Sequence, residues 1–170
     1  ISVPVGTVLG LLAGYYHGTK IDAVIMRISD VFLSVPSLIL ALCVASILEP
    51  NMMNSMLAVT IMWWPWYTRL VYSQASSISE EILPNCLSPI FTKMALDVGW
   101  VILMGASLSF VGLGEQPPTP AFGQMISDGA ALMPDIWWLT IFPAAGIAFM
   151  ILGFNFLGDG IRDMFDKGGH

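Results

Sequence analysis

Asp97 is the residue that most demands a chemical account. It stands in an apolar run from Leu87 to Val111, where a carboxylate is costly and by default marks function. Two readings stay open. Lys93, one helical turn earlier on the same face, can neutralise it as an i,i+4 pair. Alternatively, the carboxylate is functional and offers negative charge to a cationic group of a ligand. Ser107 and Ser109 are further polar groups in this run. An intramembrane protease would need a His or Lys base beside one of them, and neither serine has such a neighbour on its helix. His17 and His170 lie far apart, and the chain holds no HExxH, GxSxG or GxxxxGK[ST] pattern. It therefore lacks a catalytic constellation and a nucleotide loop. Cys43 and Cys86 sit in different segments without metal spacing; both read as small buried hydrophobes.

These residues are embedded in an unusually apolar chain. Hydrophobic residues make up 56% and charged residues 11%, against roughly 25% charged in an ordinary soluble domain. With a mean hydropathy of +0.77, the chain reads as an integral membrane protein. Its net charge of −6 leaves no basic patch to neutralise phosphates, which excludes a nucleic-acid partner.

Five apolar runs predict five helices. Ile1 to Tyr16 falls short of the roughly 20 residues a spanning helix needs, so this segment is expected to be cut at its start; no initiator Met, basic leader or cleavage site supports a signal peptide. Gly6, Gly10 and Gly14 recur every four residues and form a flat face for helix packing, with ligand contact as the lesser alternative. A polar interval from Lys20 to Asp30 spaces Asp22, Arg27 and Asp30 to share a helix face near a membrane surface. Val31 to Leu48 is the second run, interrupted by Pro36, whose kink needs neighbours to satisfy the freed carbonyl. Met52 to Tyr72 is the third, with Trp63, Trp64, Trp66 and Tyr67 around Pro65 and Arg69 near its end. Such aromatics anchor a helix at the lipid interface more often than they stack on a ligand. The fourth run is Leu87 to Val111, and the fifth, Ile136 to Leu157, carries Pro143.

The fourth run organises the rest. Gly99, Gly105, Ala106, Ser107 and Ser109 let neighbouring helices approach closely, and the run breaks at Gly112 and Gly114 into a turn stiffened by Pro117, Pro118 and Pro120. If successive runs alternate across the bilayer, Lys20, Arg27, Arg69, Lys93, Arg162 and Lys167 fall on one side. Glu49, Glu115, Asp128 and Asp135 fall on the other, without Lys or Arg. That asymmetry marks the basic side as cytoplasmic. The Pro-rich loop is then external, and Gly114 to Pro134 is expected to fold back on the outer mouth of the bundle with Phe122 and Met125 partly buried.

Several segments resemble one family in one order: GLLAGYYHG (Gly10–Gly18), MRISDVFLSVPSL (Met26–Leu38), WPWYTRLV (Trp64–Val71), SLSFVGLGEQPPTPAFGQMISDG (Ser107–Gly129) and FNFLGDGIRDMFD (Phe154–Asp166). Together they are similar to the C-type permease subunit of the dipeptide, oligopeptide and nickel importers of the ATP-binding cassette superfamily. The resemblance implies an all-α, polytopic transmembrane bundle of the type I importer permease kind. It also implies a multi-pass location in a prokaryotic inner membrane. The implied partners are a homologous second permease, two ATPase subunits that bind ATP and Mg, an extracytoplasmic substrate-binding protein and membrane lipid. The chain itself would bind no metal or cofactor, and its cargo would be short peptides, with nickel as the alternative. A self-contained secondary transporter or channel is the competing class; it should show inverted repeats and several intramembrane charges, and only Lys93 and Asp97 qualify.

One departure matters. The resembled family carries another span before this chain's first run. Between the third and fourth runs it carries a cytoplasmic loop with a Glu-Ala-Ala…Gly motif whose helix docks on the ATPase. Here SQASSISEE ends at Glu81 and ILPNCLSP begins at Ile82, so that coupling loop is expected to be missing from this sequence. Its flanks, Ser79, Glu80, Glu81, Ile82, Leu83 and Pro84, are expected at the cytoplasmic ends of two helices.

Overall fold

The computed structural model describes residues 1–75 and 82–167, with backbone only at 82–86, 88 and 165–167. The elements are α1 (Ser2–Tyr15), α2 (Lys20–Ser34), α3 (Ser37–Ala45), α4 (Met52–Ala75), α5 (Ile82–Phe110), α6 (Phe122–Ala130) and α7 (Trp138–Lys167). The all-helical architecture matches the expectation, and each of the five apolar runs falls on a helix. The second run does not stay whole. Proline disfavours helical geometry in the residue before it; Val35 is extended (φ −98°, ψ 133°), and the run is divided between α2 and α3.

The count of spans is smaller than the count of runs. Among the described residues, Pro89–Phe110 of α5 and Trp138–Met164 of α7 are long and apolar enough to cross a bilayer, and a third span exists if the broken α2–α3 pair is counted as one. The helix of the first run, α1, has 14 residues. The next long helix, α4, has 24, but Asn54, Arg69 and Gln74 dilute its apolar character. By contrast α7 runs unbroken through Pro143.

The helices sort into two compact units, one of Ile1–Ser37, Thr60–Ala95 and Gly158–His170, the other of Leu38–Val59 and Leu96–Leu157. In the first, α1 lies directly on α4. A Cβ built on Gly6 would come within 2.5 Å of the Trp64 carbonyl oxygen and of Tyr67 Cβ, and one on Gly10 within 2.6 Å of the Thr68 oxygen. Gly14 meets Ala75 in the same way. The flat glycine face is thus a close backbone approach, the form of packing that holds helices together in lipid. Tyr67, Thr68 and Val71 are buried beneath it.

In the second unit, α5 is the axis. It ends at Gly112, which takes φ +83°, while the Leu113 N–H donates to the Leu108 carbonyl at 2.9 Å and the Gly112 N–H to that of Ser109 at 3.1 Å. This is a glycine-terminated helix end that returns orphan carbonyls to backbone donors. Leu108 is fully buried. Here α6 packs on α5 so closely that a Cβ on Gly123 would collide with the Ala106 carbonyl, and Gly129 packs against Leu139 and Thr140 of α7.

Candidate functional site

The loop between α5 and α6 is tied down at its start. Gln116 Nε2 donates to the carbonyls of Gly112 and Gly114, both at 3.0 Å. Ser55 Oγ, on the second turn of α4, lies 2.7 Å from the Leu113 carbonyl oxygen and 2.9 Å from that of Asn51. Glu115 reaches across to accept the Met52 N–H through Oε2 at 3.0 Å. Asn51 Oδ1 accepts the Asn54 N–H at 2.8 Å, so two side chains satisfy the first free amides of α4. A carboxylate at a helix N-terminus also opposes the positive end of its dipole.

Between these elements lies a cavity of about 530 Å³, wholly within the second unit. Met52, Ser55 and Met56 of α4 form one wall, and α5 from Val101 to Ser109 forms another. Ile147 of α7 closes one side, and Glu115, Pro120 and Phe122 stand at the loop end. Gly105 and Ala106 present little bulk to the cavity, and a Cβ on Gly105 would already meet Met56 Cε at 2.6 Å.

Of the external-loop residues expected to matter, Pro120 and Phe122 line this cavity. The Phe122 ring also lies against Gly146 of α7. Phe122 and Met125 keep 46% and 42% of their surface exposed, so each is about half covered. Pro117 and Pro118 stay on the exposed outside of the turn.

Asp97 is buried at 7% exposure in α5. Two residues further on, Gly99 packs against Ile151 and Asn155 of α7. The Lys93 ammonium sits 5.6 Å from the Trp66 ring centre and 5.5 Å from that of Tyr67, a cation–π distance. The aromatic cluster around Pro65 divides. Trp63 and Tyr67 are core, Trp66 is exposed, and Trp64 meets the Phe32 ring edge-on at 5.4 Å.

Pattern reading missed a polar cluster where the α1–α2 turn meets α4. The Tyr72 hydroxyl stands 2.9 Å from His17 Nδ1 and donates to Asp22 Oδ2 at 3.3 Å, and the same Oδ2 accepts the Gly18 N–H at 2.9 Å. Asp22 is 8% exposed. Asp30, farther along α2, pairs with Arg69 of α4. The spacing of Asp22, Arg27 and Asp30 signalled a shared face, but not the partners on α4. Ser79, Glu80 and Glu81 lie outside the described residues; Ile82, Leu83 and Pro84 make the first turn of α5, where proline's missing N–H is tolerated.

The chain matches the family described as binding-protein-dependent transport system inner membrane component over residues 6–81 and 75–168. It belongs to that family. It is 40% identical over 95% of its length to the probable D,D-dipeptide transport system permease protein DdpC of Escherichia coli K12, of which it covers 61%. It is also 40% identical over 95% to the dipeptide transport system permease protein DppC of Alkalihalophilus pseudofirmus, covering 59%. The glutathione transport system permease protein GsiD of Pectobacterium atrosepticum is 37% identical over 98% of the chain and covered to 62%. The chain thus spans about three fifths of the length of these relatives. The aligned stretches run to 182, 181 and 186 positions, more than the 170 residues of this chain, so each relative has residues within the matched region that this chain lacks.

Proposed function

We propose that the chain is a permease subunit of an ATP-driven importer and forms half of a translocation path for short peptides. The observation that carries this reading is the 40% identity to dipeptide permeases over 95% of the chain. The peptide names of these relatives favour peptides over nickel. The chain works with a homologous second permease, two ATPase subunits that supply ATP and Mg binding, and an extracytoplasmic binding protein. All are held at a prokaryotic inner membrane that this chain crosses several times.

Coupling runs through the segment between α4 and α5. An ATPase moves a permease only through a contact whose free energy differs between the two conformations. The family match breaks into two stretches that meet at residues 75–81, and the relatives carry extra residues within the aligned region. Both facts support a coupling segment, absent from this sequence, between the flanks Ser79–Glu81 and Ile82–Pro84. Asp97 faces the path and offers negative charge to a cationic group of cargo in transit, with the i,i+4 pairing to Lys93 as the structural alternative. The loop bearing Pro117, Pro118, Pro120, Phe122 and Met125 forms the outer mouth.

Co-purification tests the assembly. The tagged full-length protein, expressed with the genes beside its own, is expected to bring down a second permease and two ATPase copies. Recovery of the chain alone, or only with copies of itself, would overturn the reading in favour of a self-contained transporter.

A further inference from the structure

We propose that the cavity of the second unit is a peptide-binding pocket, which takes the apolar side chain of an amino-terminal residue while Glu115 holds the adjacent α-ammonium. This deepens the peptide-permease reading and rests on it.

The volume comes first. A space of about 530 Å³ lies within the range of pockets for small ligands, roughly 300–1,000 Å³. Its walls are Met52, Met56, Val101, Ile102 and Ile147, and two unbranched, polarizable thioethers adapt to side chains of differing shape. None of these five side chains offers a hydrogen-bond partner to an amide or a charge, so the part of a ligand that enters between them is apolar.

The polar side chains that border the cavity, Ser55, Ser109, Glu115 and Thr119, come from the loop and from the helix ends beside it, and the hydrogen bond from the Met52 amide to Glu115 Oε2 fixes the carboxylate there with its other oxygen uncommitted to that bond. An ammonium group one carbon away from an apolar side chain matches this layout: the chain enters, and the cation stays at the carboxylate.

The wider field selects the sign. At its surface the second unit carries Glu49, Glu115, Asp128 and Asp135, with Asp97 buried, and it contains no Lys, Arg or His. Such a one-sign surface attracts cations and repels anions. It disfavours a phospholipid, whose acyl chain would suit the walls but whose phosphate would meet Glu115. It also leaves the peptide carboxyl without a partner, so the peptide binds by its amino end with its carboxyl end outward.

The test uses the full-length permease pair in nanodiscs without the binding protein, so that selection by that protein does not enter. The probe is the dipeptide p-benzoylphenylalanyl-alanine, crosslinked by light and mapped by mass spectrometry. Labelling is expected on Met52, Met56 or the Val101–Ser109 stretch. Leucyl-alanine should compete at least about tenfold better than N-acetyl-leucyl-alanine, since a charge-assisted hydrogen bond contributes about 1.5–3 kcal/mol and each 1.4 kcal/mol is tenfold. In Glu115→Gln that preference should collapse, and about tenfold more probe should be needed to label the same residues; in Ala106→Phe, which fills the cavity, labelling should vanish. Labelling elsewhere, equal competition by the acetylated peptide, or displacement by lysophosphatidylglycerol alone would overturn the proposal, the last by assigning the cavity to an acyl chain. ATP-dependent peptide uptake by the complete transporter is measured in parallel. Uptake without pocket labelling refutes this site and spares the function, whereas absence of any uptake removes the reading beneath it.

Discussion

Replacing Gly10 by valine should part α1 from α4. The first added carbon would lie 2.6 Å from the Thr68 carbonyl oxygen, 2.8 Å from Val71 Cβ and 3.2 Å from the Tyr72 nitrogen, against 3.4 Å where ordinary contact begins. Two of these atoms are backbone, so no rotamer change relieves them; the helices must separate by about 0.8 Å, the difference between 3.4 and 2.6 Å. Overpacking of this kind costs about 1–3 kcal/mol, offset by a few tenths for the better helix propensity of valine over glycine. A net loss of about 2 kcal/mol corresponds to a fall in midpoint of about 4–8 °C for a chain of this size. The assay is thermal unfolding in detergent followed by tryptophan fluorescence. Gly153→Ala on α7 is the control, since nothing lies within 4 Å of a Cβ there, and it should be neutral or slightly stabilising. A Gly10→Val midpoint equal to wild type would refute the close α1–α4 approach.

Other predictions address the polar contacts. Asp22→Ala removes the acceptor of both the Tyr72 hydroxyl and the Gly18 amide; it should cost about 1–3 kcal/mol and speed hydrogen exchange at Gly18, with Asp22→Asn milder. Ser55→Ala deletes a hydrogen bond to the loop carbonyl of Leu113, and should lower stability by about 1 kcal/mol and raise protease cleavage within the 113–121 loop. Gly112→Ala forces a side chain into φ +83°, at about 1–2 kcal/mol, measurable as a lowered unfolding midpoint. Asp97→Asn in the assembled transporter should weaken uptake of peptides with a free amino terminus; unchanged affinity and rate with normal assembly would remove Asp97 from the path.

What could be read from the sequence was local or periodic. Gly6, Gly10 and Gly14 announced a packing face because helical spacing alone puts them in line, and Gly112 announced a helix end because few residues other than glycine accept positive φ. Pro36 was legible as a disturbance, but not as the division of one run into two helices, since a proline alone does not say whether neighbours will hold a kinked helix together. The aromatics around Pro65 looked alike in sequence, yet Tyr67 is core and Trp66 is not, because only packing decides which face is covered. Contacts such as Glu115 with Met52 and Tyr72 with Asp22 join residues far apart in the chain. No periodicity reports such partners, and the cavity that Glu115 borders was hidden for the same reason.

The measurement that bears most directly on the central claim is uptake of a labelled dipeptide into proteoliposomes holding the full-length protein, its sister permease and both ATPase subunits, with the binding protein outside the substrate-entry face. Uptake that requires hydrolysable ATP and ceases with a non-hydrolysable analogue is the predicted result. Peptide uptake that proceeds without ATP, driven by an imposed ion gradient, would contradict the account.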